Sequence, residues 1–252
     1  MILLPGGSFT MGSERDAFPF EGPEREVAVE PFLLDEHEVT VAEFERFVAA
    51  TGHRTDSEIA GSSGVLDTRT GTWQAVEGAD WRHPEGPGSA ARADDPVVHV
   101  SWNDARAFCA WAGKRLPTEA EFEFAMRAGV SGATYPWGDG HDPGGPPRAN
   151  LWQGTFPEED LGRDGFRGVA PVGSFPRDRL GFLDLAGNVW EWCEDRFDPR
   201  STGRNGERAL RGGSWMCCET SCRGYRCAAR SRASADSGLQ HVGFRCAGDP
   251  WP

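Results

Sequence analysis

No run of apolar residues in this 252-residue chain is long enough to cross a bilayer, which takes about 20 in succession. A secretory leader is missing too: Met1-Ile-Leu-Leu-Pro-Gly-Gly7 is too short and passes straight into domain-like sequence. The expectation is a soluble, cytoplasmic protein with no membrane partner, or a secreted one whose signal was removed ahead of this numbering. Basic residues are in deficit, 26 Lys and Arg against 39 Asp and Glu, for a formal charge of -13. Phosphate backbones need the opposite surplus, so no nucleic-acid partner is expected, and the charge reads first as a solvated acidic surface. The six histidines, His37, His53, His83, His99, His141 and His241, make no H-x-x-x-H or H-E-x-x-H pair, which argues against a zinc hydrolase. A Gly-rich phosphate loop, a dinucleotide fingerprint and a G-x-S-x-G elbow are also missing.

Aromatic residues are plentiful, ten Trp and fifteen Phe, enough to fill a sizeable core. With 33 Gly and 18 Pro, much of the backbone should lie in turns and irregular segments. No repeat and no linker divides the chain, so residues 1–252 read as one domain. Three capping boxes start helices: Thr40 with Glu43, Ser101 with Asp104 and Thr118 with Glu121, stopping at Gly52, Gly113 and Gly129. Cys109 falls on the apolar side of the second and reads as a small buried hydrophobe. Short strands are predicted at Glu26–Leu34, Val97–Val100, Arg208–Trp215 and Val242–Cys246. Residues 54–94 and 130–180 read as long, Trp-bearing, packed loops, and 198–207 as a mobile surface loop.

The richest chemistry sits in Arg211-Gly-Gly-Ser-Trp-Met-Cys-Cys-Glu-Thr-Ser-Cys222. Cys217 and Cys222 are five residues apart in a segment that can fold back and aim both sulfurs at one point. Such a pair suits a soft ion such as Cu(I) or a small disulfide, and both uses stay open. Arg211, Arg223 and Arg226 flank it, and nearby cations favour the thiolate. Seven cysteines is an odd number, so at least one thiol has no internal partner. Oxygen-rich turns form a second signal: Asn150-Leu-Trp-Gln153 and Asp164-Gly-Phe166, then Asp184, Gly187-Asn-Val189 and Glu191. Calcium takes six to eight such hard ligands, although Asp and Asn in turns usually cap their own backbone.

Taken together, several strings resemble the sulfatase-modifying factor family, the formylglycine-generating enzymes. They run from Pro5-Gly-Gly-Ser-Phe-Thr-Met-Gly12 and Asp35-Glu-His-Glu-Val-Thr40 through Trp81-Arg-His-Pro-Glu-Gly-Pro87 and Pro96-Val-Val-His-Val-Ser-Trp-Asn-Asp104. Trp111-Ala-Gly-Lys-Arg-Leu-Pro-Thr-Glu-Ala-Glu121, Tyr135-Pro-Trp-Gly-Asp139, Asn150-Leu-Trp-Gln-Gly154 and Gly187-Asn-Val-Trp-Glu-Trp192 follow. The thiol loop, Arg226-Cys-Ala-Ala-Arg-Ser231 and Gly243-Phe-Arg-Cys246 complete the set. The GNVWEW and RLPTEAE strings mark only a superfamily that includes non-enzymes; the thiol loop points to the enzyme.

The resemblance implies an α+β fold: a single compact domain with low regular secondary structure, distantly like C-type lectins. It implies oxidation of a cysteine in an unfolded Cys-X-Pro-X-Arg segment of a sulfatase to Cα-formylglycine, using O2 and a reductant, by a monomer. Cys217 and Cys222 match the Cu(I) ligands, the substrate thiolate joining as a third, and Ser214 and Trp190 match residues lining that pocket. Hydrogen leaves the substrate β-carbon, and the thioaldehyde hydrolyses. Asn150, Leu151, Asp164 and Phe166 match one structural calcium site; Asp184, Gly187, Val189 and Glu191 match a second, and Glu38 a further calcium contact. Cys109 and Cys246 match one disulfide of the family, while Cys227 has lost its partner to Met126. Substrate-contacting positions hold departures: Ser221 for a Tyr, His241 for an Asn, and Cys218 for a His. Cys218 is thus a possible competing copper ligand or disulfide partner. The alternative is a non-catalytic, lectin-like binding module on the same fold, which would have no use for the sulfur pair. An iron-dependent sulfoxide synthase would need a histidine-rich helical partner domain that this sequence lacks.

Overall fold

The computed structural model describes residues 1–15, 19–128, 130, 132–140, 144–200 and 206–250. Eleven short strands and four helices follow in chain order: β1 (Ile2–Leu4), β2 (Gly7–Met11), β3 (Arg25–Val29), β4 (Phe32–Leu34), α1 (Val41–Thr51), α2 (Asp56–Ala60), β5 (Ser62–Asp67), β6 (Thr72–Glu77), α3 (Trp102–Trp111), α4 (Glu119–Arg127), β7 (Trp190–Arg196), β8 (Glu207–Arg211), β9 (Ser231–Ser234), β10 (Val242–Gly243) and β11 (Ala247–Gly248). The sheets are small: β1-β4-β11, β10-β7-β8-β9, and the pairs β2-β3 and β5-β6. β4 accepts β1 from the start of the chain and β11 from its end, both antiparallel. This α+β arrangement, in which long ordered loops join small sheets, is the expected one.

All three predicted capping boxes form, each N-cap hydroxyl accepting from the third helical amide and the acid reaching back. Gly52 caps α1 in the left-handed conformation, as read. The C-cap of α3 is Ala112, one residue before the predicted glycine, and that of α4 is a left-handed Ala128. Gly129 lies outside the described residues, as do residues 201–205 of the predicted mobile loop and His141. A fourth box, Thr55 with Glu58, starts the five-residue α2, too short to show periodicity.

The strand boundaries need correction. Glu26–Leu34 is two strands in different sheets, broken at Pro31, which has no amide to donate. Arg208–Trp215 shrinks to β8, because Gly212 and Gly213 turn with positive φ. Val242–Cys246 splits into β10 and, past it, β11. Val97–Val100 is not a strand: Val97 makes one bond to Val39, then His99 turns to φ +58°. Part of the 54–94 loop is the β5-β6 hairpin, hidden because β6 is mostly exposed and does not alternate.

His99 is fully buried, with Nε2 donating to Pro84 O at 2.8 Å and Nδ1 2.7 Å from Ser63 Oγ. Burial pushes its pKa down to about 4. Between the free value of about 6.5 and that point, the unfolded chain takes up a proton that the fold refuses. Stability therefore falls as pH drops through this window, by roughly 3 kcal/mol from this group. Urea titrations at stepped pH should show the acid limb flatten in His99→Gln; an unchanged slope would remove His99 as its source.

The core joins both sheet systems to the helices around Phe44, Phe108, Phe122, Trp192 and Phe244. Buried ion pairs cross it, Arg245 with Glu191 and Arg211 with Glu123 among them. Among the described residues no helix is long and apolar enough to cross a membrane.

Candidate active site

The thiol loop leaves β8 through a turn that only glycine fits. A Cβ on Gly213 would stand 2.5 Å from Tyr225 N, and its φ is +78°. The loop is then pinned to two neighbours: Gly187 N donates to Gly212 O at 2.9 Å, Trp215 N to Asn188 O at 2.9 Å, and Trp152 N to Cys217 O at 3.0 Å. Cys217 and Cys222 meet with Cα atoms 4.5 Å apart and their sulfurs bonded as a disulfide. Cys217 is fully buried, whereas Cys222 is only partly covered. Cys222 is thus the less enclosed of the two.

Cys218 faces the other way. It packs with Leu66, Trp152, Trp215 and Met216, has Sγ 3.5 Å from Thr220 Oγ1, and remains a free thiol. It helps line a groove of about 740 Å³ with Trp137, Arg148, Trp152, Arg163 and Tyr225. Trp137, Arg148, Trp152 and Arg163 come from segments distant in the chain, and Tyr225 from just past the thiol loop. Ser221 is exposed on the loop. The His241 ring lies tilted at 34° against exposed Trp73 with centroids 4.8 Å apart, and its buried Nδ1 has no hydrogen-bond partner.

Ser214 and Trp190 are buried against the loop. Ser214 Oγ accepts from Met216 N at 3.3 Å, and its carbonyl accepts from Cys217 N at 2.9 Å. Trp190 presses on Gly224 so closely that a Cβ there would lie 2.3 Å from the indole. The flanking arginines are each engaged by an acceptor. Arg211 pairs with Glu123 and caps Ala228 O and Ala229 O, Arg226 holds Glu21 at 2.7 Å, and Arg223 Nε donates to Glu219 O. Nearby carboxylates and carbonyls thus take the guanidinium donors of all three.

Cys109 and Cys246 are both buried, with sulfurs 3.1 Å apart as two thiols in contact. The disulfide implied for them is not formed here, although the sulfurs are neighbours. Burial raises the Cys193 thiol well above its ordinary range and pushes Cys227 up to about 12, which makes both inert.

The oxygen-rich turns are brought together as two adjoining clusters. In the first, Asp164 accepts from Leu151 N at 3.1 Å and Phe166 N at 3.1 Å, and Asn150 is nearly fully buried. In the second, Glu38, Asp184 and Glu191 share a buried space with one cation, Arg245. Arg245 holds both Glu191 oxygens at 2.8 Å, and Gly173 N donates to Asp184 Oδ2 at 2.7 Å. Glu38 Oε2 is buried with no hydrogen-bond partner. Burial, then the charges of Asp184 and Glu191, drive Glu38 well above the carboxylate range. Among the described residues no three His, Cys, Asp or Glu side chains are arranged to hold a metal by themselves, so either cluster would need backbone carbonyls. Between the clusters stands Asn188, fully buried at φ +58°, a residue the sequence places in the oxygen-rich turns without a role of its own. Asn tolerates that conformation better than most residues, and this was the one available signal.

Residues 1–250 match the sulfatase-modifying factor enzyme 1-like domain family. The formylglycine-generating enzyme of Thermomonospora curvata is 48% identical over 99% of this chain and 93% of its own. A Bos taurus relative described as an inactive C-alpha-formylglycine-generating enzyme 2 is 44% identical over 98% of this chain and 87% of its own. Among solved structures, PvdO from Pseudomonas aeruginosa superposes with a TM-score of 0.73 at 28% identity, covering 97% of this chain and 92% of that one. The thiol loop, the groove beside it and the paired oxygen clusters are therefore those of a chain that belongs to the sulfatase-modifying factor family, the family of the formylglycine-generating enzymes.

Proposed function

We propose that this protein converts a cysteine within a Cys-X-Pro-X-Arg segment of sulfatases to Cα-formylglycine, with O2 as oxidant and Cu(I) held by Cys217 and Cys222. The observation that carries this reading is the sulfur pair itself, one cysteine buried and one partly covered, in a loop that also walls a groove. Family membership alone does not carry it, since a relative of comparable identity is described as inactive.

The donor set fits Cu(I) once the disulfide is reduced, because paired thiolates prefer soft ions. When bound, Cu(I) would supply the centre at which O2 is reduced. The protein's own part is to anchor Cys217 in the core and present Cys222 to the client thiol. The client Cβ–Sγ unit loses two hydrogens to become a thioaldehyde, and water converts that to the aldehyde with release of hydrogen sulfide. O2 takes four electrons to become water, two from the client and two from an external thiol reductant. The orphaned Glu38 oxygen, among three carboxylates that face one guanidinium, fits a structural calcium ion at the second cluster. For the first cluster, Asn150 and Asp164 with the Leu151 and Phe166 carbonyls are the proposed ligands.

Reduced, copper-loaded protein with a Cys-X-Pro-X-Arg peptide, O2 and a thiol reductant should yield the aldehyde, read as a mass change at the cysteine and capture by a hydroxylamine probe. Unmodified peptide at verified copper occupancy would refute the enzyme reading and favour the binding module.

A further inference from the structure

We infer that Asn188 is a positioning residue that braces the thiol loop, making the spacing of Cys217 and Cys222 depend on the two oxygen clusters. Its side chain has four partners. Oδ1 accepts from Asn150 Nδ2 at 3.0 Å and from Ala170 N at 2.9 Å, and Nδ2 donates to Glu38 Oε1 at 3.0 Å and Ala170 O at 3.3 Å. One amide thus touches Asn150 of the first cluster and Glu38 of the second. Its backbone completes the junction: Asn188 N donates to Asn150 O at 3.0 Å, and Asn188 O accepts from Trp215 N at 2.9 Å.

Three segments therefore form a triangle. Residues 150–152 hold 187–188, which hold 212–215, and Trp152 N closes the figure on Cys217 O. A triangle of short hydrogen bonds shears only if an edge breaks, and the Asn188 amide stiffens the edge farthest from the sulfurs. Gly187 makes that edge tight, since a Cβ there would meet Asn150 O at 2.5 Å. Displacement of Asn150 or Glu38 is consequently passed to Trp215 and Cys217 through a contiguous network.

The consequence for catalysis rests on the proposed role of the sulfur pair, but the readout below does not. A rigid frame raises the effective concentration of one sulfur at the other, so loosening it should favour the open dithiol. Wild type, Asn188→Ala and Asn150→Ala are equilibrated in glutathione buffers, quenched by alkylation and mapped by mass. Both variants should shift the Cys217–Cys222 equilibrium toward the dithiol by about tenfold, the effect of losing one or two net hydrogen bonds. Cys109 and Cys246, which none of these bonds touch, serve as the internal control and should not move. An unchanged Cys217–Cys222 equilibrium overturns the inference. An equal shift in both pairs also overturns it, because that marks general loosening. Where the alanine variants fail to fold, Asn188→Asp retains the acceptor oxygen and the turn conformation while losing the donor to Glu38, and the same two outcomes decide. Failure of the peptide assay with this shift intact would refute the enzyme reading alone.

Discussion

Cys222→Ser is expected to abolish turnover of a Cys-X-Pro-X-Arg peptide, by about 10³-fold or more, as for an interaction made at the reacting centre. Oxygen in place of sulfur exchanges a soft ligand for a hard one, and the pair loses its preference for Cu(I). The change in packing is small, since Cys222 is only partly covered. The proper reference for stability is reduced wild type, because closing so short a loop contributes about 2 kcal/mol in the chain-entropy account. Against that reference the melting temperature should hold within about 3 °C. Cys217→Ser should match the loss of turnover with a larger loss of stability, since it places a hydroxyl at a fully buried position. Turnover retained in Cys222→Ser would show that the ligand assignment is wrong.

Arg245→Met should produce the largest loss of stability. The guanidinium holds both oxygens of Glu191 and three carbonyls, of Asp35, Glu36 and Leu183. Both partners are fully buried. Removing it leaves Glu38, Asp184 and Glu191 without a cation, and breaking such a pair from one side costs about 3–5 kcal/mol. For a chain of this size that is roughly 6–20 °C in melting temperature. The loss should be greatest in calcium-free buffer and partly restored by calcium, which would take over the neutralising role. Thermal melts of variant and wild type, each with calcium and with chelator, measure this. A variant deaf to calcium would remove the cation reading of the second cluster, and a loss under about 1 kcal/mol would show the carboxylates already protonated and neutral.

The legible parts of this protein were those set by local chemistry. Thr40, Ser101 and Thr118 announce helices because a cap needs only a hydroxyl and an acid three residues on. Strands were harder. Trp190-Glu-Trp-Cys-Glu-Asp-Arg196 carries an acid at a position buried by a partner 54 residues away, so its pattern does not alternate as an isolated strand would. The bend at His99 is likewise held by Ser63 and Pro84, which no local pattern connects to it.

The thiol loop shows the same division. Two cysteines five residues apart in a Gly- and Ser-rich stretch sufficed to mark a chemical site, since a short loop leaves the sulfurs little choice but to meet. Sequence motifs were likewise enough to assign the family. Which cysteine is sealed and which partly covered, where Cys218 packs, and that Arg211 and Arg226 serve distant carboxylates were decided by packing alone. So was the junction at Asn188, because an amide with four partners from three segments has no signature in any one of them. Local chemistry is written in neighbouring residues; burial and the sharing of polar partners exist only once distant segments have met.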